Sequence, residues 1–142
     1  MNLLFAADVS IARVIGGAER VLYEESTELA RRNHGVHILT RRLPGHEAGD
    51  EVIDGVREWR YGIRGGSGPS SLRSALVNAR ARFESLQRQY AFDLLHFHQP
   101  FTAYAVVNDQ GTNDGSFVPP VSLAAALTAT RLVVPAVVSA GS

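Results

Sequence analysis

Ile15-Gly16-Gly17-Ala18-Glu19-Arg20-Val21-Leu22-Tyr23-Glu24, closing on His34-Gly35-Val36-His37-Ile38-Leu39-Thr40-Arg41-Arg42, decides the reading of this chain. A glycine pair opens a helix, and the helix hands over to a short apolar strand. The apolar run Leu3 to Ala7 reads as a first strand, so the unit is strand, glycine loop, helix, strand. Adjacent glycines let the backbone turn sharply and approach a ligand without side-chain obstruction. The next helix N–H groups have no partners inside the helix, and the macrodipole makes that end attractive to an anion. The arrangement suits a phosphate or a polyhydroxyl ligand. It lacks the three spaced glycines of a dinucleotide fingerprint, and a chain without lysine is no Walker phosphate loop.

Outward from this unit, the first helix is expected over about Ala18 to Arg32, with Ala18, Val21, Leu22 and Leu29 on one stripe. Glu25 falls on that stripe. A buried, unpaired carboxylate is costly, so Glu25 reads as a stripe-edge residue with its head in water. Asn33 suits a left-handed helix stop, and Val36 to Thr40 a short strand. Residues 43 to 70 are rich in Gly and Pro. Within them, Val52 to Tyr61 reads as a hairpin turning at Asp54-Gly55, and Gly65-Gly66-Ser67-Gly68-Pro69 as a flexible loop. A second helix follows, with Ser70 or Ser71 as N-cap and Leu72, Ala75, Leu76, Ala79, Phe83 and Leu86 on one face. Arg73, Arg80, Arg82 and Arg88 read as its solvated side. Asp93 to Phe97 is a central-looking strand bounded by Pro100. Asn108 to Gly115 is loop, Ser122 to Leu132 an alanine-rich helix, and Leu132 to Ser139 a last strand. Strands alternate with helices throughout, which predicts a parallel α/β sheet with crossover helices.

Composition narrows the function classes. The 142 residues are 45% hydrophobic and 20% charged, in the range of an ordinary globular protein with one core. Fourteen arginines balance fourteen acids, so no nucleic-acid or anionic-membrane surface is indicated. Absence of cysteine removes disulfides, thiolate chemistry and cysteine metal sites. Asp8 and Arg13 interrupt the apolar start too soon for a secretory leader. Arg131 and Pro135 interrupt Val121 to Ala140, so no transmembrane span is expected. A cytoplasmic protein is the expectation.

Gly16-Gly17-Ala18-Glu19-Arg20-Val21-Leu22, a helix ending Arg32-Asn33-His34 and a strand ending Leu39-Thr40-Arg41 resemble the amino-terminal domain of family 4 retaining glycosyltransferases of the GT-B fold. Asp93-Leu94-Leu95-His96-Phe97-His98 is similar to a later strand of that domain, and the likeness extends from Met1 to about Tyr104. The resemblance implies a single Rossmann-like three-layer α/β domain over residues 1–142, with a mainly parallel sheet of about five or more strands. It implies transfer of a sugar from a nucleotide-sugar donor to an acceptor with retention, and no metal or other cofactor. Such enzymes hold the donor largely in a carboxyl-terminal domain carrying two glutamates eight positions apart. No two glutamates here have that separation. The family also tends to place a histidine after the fifth strand, where this chain has Val138-Ser139-Ala140-Gly141-Ser142. The chain is therefore expected to be the acceptor-side half, inactive alone, with weak self-association through residues after Val106. The rival readings are a stand-alone binding module for a phosphorylated or sugar ligand, and a non-catalytic self-associating fragment.

In a parallel sheet, ligands sit outside the carboxyl ends of the strands. The Gly16-Gly17 loop, the loop after Thr40 and His98-Gln99 all reach that edge. Gly16, Gly17 and Ala18 either contact donor phosphates or acceptor, or only make a packing turn. Asp8 either faces the cleft or caps the loop. His98 and Gln99 follow the Asp93–Phe97 strand, and a neutral His98 imidazole is suited to a sugar hydroxyl. His96 and His98 lie two apart on one strand face, but zinc sites need three or four protein ligands. His96 therefore reads as a hydrogen-bonded residue under a crossover helix, and His34 as part of the helix-to-strand turn. Trp59 and Tyr61 either stack on a sugar ring or, as large aromatics usually do, pack against the sheet.

Overall fold

Both faces of a sheet must be covered before a strand as apolar as Leu3–Ala7 can lie at its centre, and that is where it lies. The structure, a computed structural model, describes residues 1–43, 49–63 and 68–107, with the backbone of 132–133. Its elements are β1 (Asn2–Ala6), α1 (Gly17–Arg31), β2 (Gly35–Arg41), β3 (Glu51–Ile53), β4 (Val56–Tyr61), α2 (Pro69–Tyr90), β5 (Leu94–Phe97), α3 (Pro100–Val107) and β6 (Leu132–Val133). The sheet order is β3-β4-β2-β1-β5-β6. Strands β1 and β2, β1 and β5, and β2 and β4 pair in parallel. Only the outer strands, β3 against β4 and β6 against β5, run antiparallel among those described. The mainly parallel Rossmann-like sheet expected from the sequence is the one found.

Alternation along each strand divides the core. Leu3, Phe5 and Ala7 join Leu22, Val36, Ile38 and Val56 on the α1 face. Leu4, Ala6 and Leu39 join Tyr61, Ala75, Ala79, Phe83, Leu86 and Ala105 on the α2–α3 face. Each fully buried side chain of the size of Leu22 or Phe5 contributes roughly 1.5–3 kcal/mol.

Local signals explain the ends. Asn33 has φ 64°. The N–H of His34 donates to Leu29 O at 3.2 Å and that of Asn33 to Ala30 O at 3.0 Å. This is the paired closure of a Schellman stop, and it places His34 in the turn, as expected. Asp54 and Gly55 both have positive φ, 47° and 85°, the requirement of a type I′ hairpin turn.

Several expectations need correction. Helix α2 is capped at Gly68, not at Ser70 or Ser71, because Pro69 with its preset φ takes the first helical position. Val21 is exposed, and the buried side of α1 runs instead through Leu22, Ser26 and Thr27. Helix α3 went unread. Thr102 to Val106 are all buried, so it has no polar face to give periodicity. On α2, Arg80 and Arg82 are partly covered: Arg80 pairs with Glu84, and Arg82 pairs with Asp50 while lying over the Trp59 ring. The last strand, expected in line with the parallel sheet, pairs antiparallel to β5 over Leu132–Val133. The loop at 108–115, the helix at 122–132, the rest of the final strand, and the part of the glycine loop at 64–67 lie outside the described residues.

Candidate functional site

Strand order reverses at β1: the chain moves from β1 to β2 on one side, and β5 arrives on the other. The loops leaving β1 and β5 flank this switch point at the carboxyl edge of the sheet, where the ligand crevice of open α/β folds usually lies. Ala18, which follows Gly16 and Gly17, meets His98 there. His98 Nε2 lies 3.0 Å from Ala18 O. A carbonyl only accepts, so Nε2 carries a proton, which in the neutral ring leaves Nδ1 as the acceptor. The ring thus pins the first turn of α1 to the end of β5.

The two glycines are not required by the backbone. Gly16 is extended, at φ −124° and ψ −175°, and neither glycine has positive φ. A Cβ placed on Gly17 meets nothing within 4 Å, and one on Gly16 meets only the flexible Glu19 carboxylate, at 2.9 Å from Oε2. That carboxylate accepts the N–H of Gly16 at 3.2 Å. It shows what the helix N-terminus attracts: an anion. The N–H groups of Gly17, Ala18 and Glu19 start α1 without partners in the helix. Ile15, beside them, is 82% exposed.

The Asp8 side chain is engaged within the chain. Its carboxylate accepts the N–H of Phe101 at 3.0 Å and of Thr102 at 2.9 Å, capping α3. The Thr102 hydroxyl lies 2.7 Å from both Asp8 Oδ1 and Ala7 O, and 2.8 Å from the Tyr61 hydroxyl. Burial pushes the Tyr61 phenol above its ordinary range. Gln99 Oε1 accepts the Asp8 N–H at 2.7 Å. Asp8 and Gln99 thus tie the exit of β1 to the start of α3, and His98 ties the end of β5 to the first turn of α1.

The other candidates are structural. His96 packs on Phe5 with ring centroids 4.7 Å apart and lies 3.9 Å from Glu25. Glu25 is exposed, as its stripe-edge reading required. The His96 and His98 rings are 6.4 Å apart, yet no group of three or more metal-ligating side chains occurs among the described residues. Trp59 and Tyr61 pack inward. Trp59 Nε1 donates to His37 Nδ1 at 3.0 Å, and burial together with the Arg57 charge holds His37 down at about 4. A concavity of about 450 Å³ between β4 and α2 is crossed by the Arg82–Asp50 pair, which satisfies its converging charges internally. No described helix is long and apolar enough to cross a membrane.

Sequence reading missed two polar anchors, Thr102 and Glu58. The signal for Glu58 was present: Val56, Glu58 and Arg60 share one strand face. In a sheet covered on both sides, opposite charges two apart on a core face must pair.

Residues 15–111 match the family model for Glycosyltransferase Family 4. No curated protein matches the chain. Among solved structures, sucrose-phosphate synthase from Thermosynechococcus elongatus is similar in fold, with a TM-score of 0.57 at 15% identity. The likeness covers 73% of this chain and 28% of the synthase.

Proposed function

Because this chain belongs to glycosyltransferase family 4, we propose that it is the acceptor-side domain of an enzyme moving a sugar from a nucleotide-sugar donor to an acceptor with retention. The observation that carries the reading is Gly17, whose missing side chain leaves open space at the crevice that the backbone does not demand. A residue small for no reason of folding is small for something that approaches it. The approaching group is a donor phosphate, received by the N–H groups of Gly17, Ala18 and Glu19 in place of the Glu19 carboxylate. His98, held by Ala18 O, presents Nδ1 as an acceptor for a sugar hydroxyl.

A second Rossmann-like domain, carrying the glutamate pair, completes the donor site and excludes water from the crevice. The segment described here supplies loop, helix end and acceptor surface, and transfers nothing by itself. No metal is needed for this arrangement. The reading is tested with a panel of nucleoside-diphosphate sugars, followed by the anomeric configuration of any product. Retained configuration with the full-length protein, and no turnover with residues 1–142 alone, is the expected result. Tight donor binding by residues 1–142 alone would point instead to a stand-alone binding module.

A further inference from the structure

Ten residues separate Ala6 from Gly17, and one buried side chain from a distant strand ties the middle of that loop down. Glu58, on β4, has no exposed surface. Its Oε1 accepts from the Ser10 hydroxyl at 2.5 Å and from Arg60 Nε at 2.8 Å. Its Oε2 accepts the N–H of Ile11 at 2.8 Å. Ser10 Oγ in turn accepts the N–H of Ala12 at 3.1 Å. Arg60, whose side chain is 1% exposed, lies 2.7 Å from Glu58 and 2.9 Å from Glu51.

The chemistry of this cluster is specific. A strand residue at this point needs only an apolar side chain to pack, as Val56 shows one step earlier on the same face. A carboxylate here is costly to bury, and Arg60 offsets that cost by charge and hydrogen bonds. Only part of its bonding capacity goes to Arg60. The rest goes to a hydroxyl and a backbone N–H of the loop, 48 and 47 positions away in sequence. The loop is thereby divided into a fixed foot, Ser10 to Ala12, with Ser10 and Ile11 buried, and an exposed tip, Arg13 to Gly17. The position of the tip follows from the foot.

We infer that Glu58, held by Arg60, is a positioning residue that sets the Gly16–Gly17 loop for its ligand through Ser10 and Ile11. The inference rests on the reading of that loop as the donor-phosphate contact, but its structural half stands apart from it. Glu58→Gln keeps the volume and replaces one acceptor by a donor that faces Arg60 or the loop. Ser10→Ala removes the hydroxyl's bonds to Glu58 and to the Ala12 N–H and leaves Glu58 and Arg60 paired, so it retains the fold if Glu58→Gln does not. Val56→Ala is the control for lost packing on the same strand face.

Amide hydrogen exchange on residues 1–142 is the first measurement. Both polar variants are expected to speed exchange over residues 11–18 at least tenfold while leaving β2 unchanged; Val56→Ala loosens β2 and β4 first. Unchanged exchange at 11–18 in both polar variants, or a pattern matching Val56→Ala, overturns the inference. The second measurement is glycosyl transfer by the full-length protein, at a temperature where all variants are folded. An at least tenfold fall in kcat/KM for both polar variants, with Val56→Ala near wild type, supports positioning. Normal transfer with a loosened loop overturns it. Wild-type protein without transfer removes the glycosyltransferase reading, and the exchange result still decides whether Glu58 sets the loop.

Discussion

Two glycine turns in this molecule differ in who needs the glycine. At Asp54-Gly55 both residues have positive φ, and the hairpin twist requires it. At Gly16-Gly17 neither does, and the space around Gly17 is empty. The first glycine is explained entirely by the chain it belongs to. The second answers to no positive φ, and at Gly17 to no close contact among the described residues. The histidines divide in the same way. His37 is enclosed by Trp59, Tyr90 and Phe92, whereas His98 stands at the crevice with one nitrogen committed to Ala18.

The largest effect should come from the enclosed side. His37 titrates at about 4 in the fold against an ordinary 6.5, so between these values the unfolded chain binds the extra proton. Stability is complete above pH 6.5 and falls as pH drops toward 4, by about 3 kcal/mol if this residue acts alone. Urea unfolding at stepped pH should show the fall, and His37→Gln should flatten it. An unchanged slope in that variant would put His37 with the open side.

Asp8 is the residue whose side of the comparison was least obvious. As the cap of α3 it should behave like Gly55: Asp8→Ala should cost up to about 2 kcal/mol of stability. Binding to the folded fraction should be unaltered. Lost binding at unchanged stability would return Asp8 to the ligand side.

Gly17→Ala tests the contrast directly. Transfer by the full-length protein should fall at least tenfold, or about 1.4 kcal/mol of transition-state stabilisation. The melting temperature should hold or rise, because alanine is the better helix former. Initial rates and a melting curve on one preparation decide it, and normal rates would assign the pair to packing. Gly55→Ala should give the opposite pattern and the smallest effect: about 1 kcal/mol less stable from the strained φ, with transfer unchanged.

Those parts of the fold whose cause is local could be read from sequence. The Asn33 stop and the Asp54-Gly55 turn are each decided by the conformations one or two residues tolerate. The crevice was legible as a place, since the carboxyl edge follows from alternating strands and helices. Its bracing was not. Asp8 caps a helix 93 positions downstream, and nothing in either segment announces the other. Glu58 and Arg60 passed unremarked within the hairpin, because alternation shows which residues share a face but not which face is covered. Helix α3 failed for the reverse reason: a helix buried all round has no contrast to detect.

The central position of β1 also sets the order in which this protein is assembled during synthesis. Its first partner, β2, ends at Arg41, but the strand on its other side ends only at Phe97. At ribosomal rates of roughly 5–20 residues per second, that edge of β1 waits several seconds for β5. A nascent chain therefore presents its glycine loop, β2 and the loop-bonding residues of β4 well before β5 is available to pair with β1. A ribosome stalled before β5 would leave that edge of β1 without its partner and open to another strand.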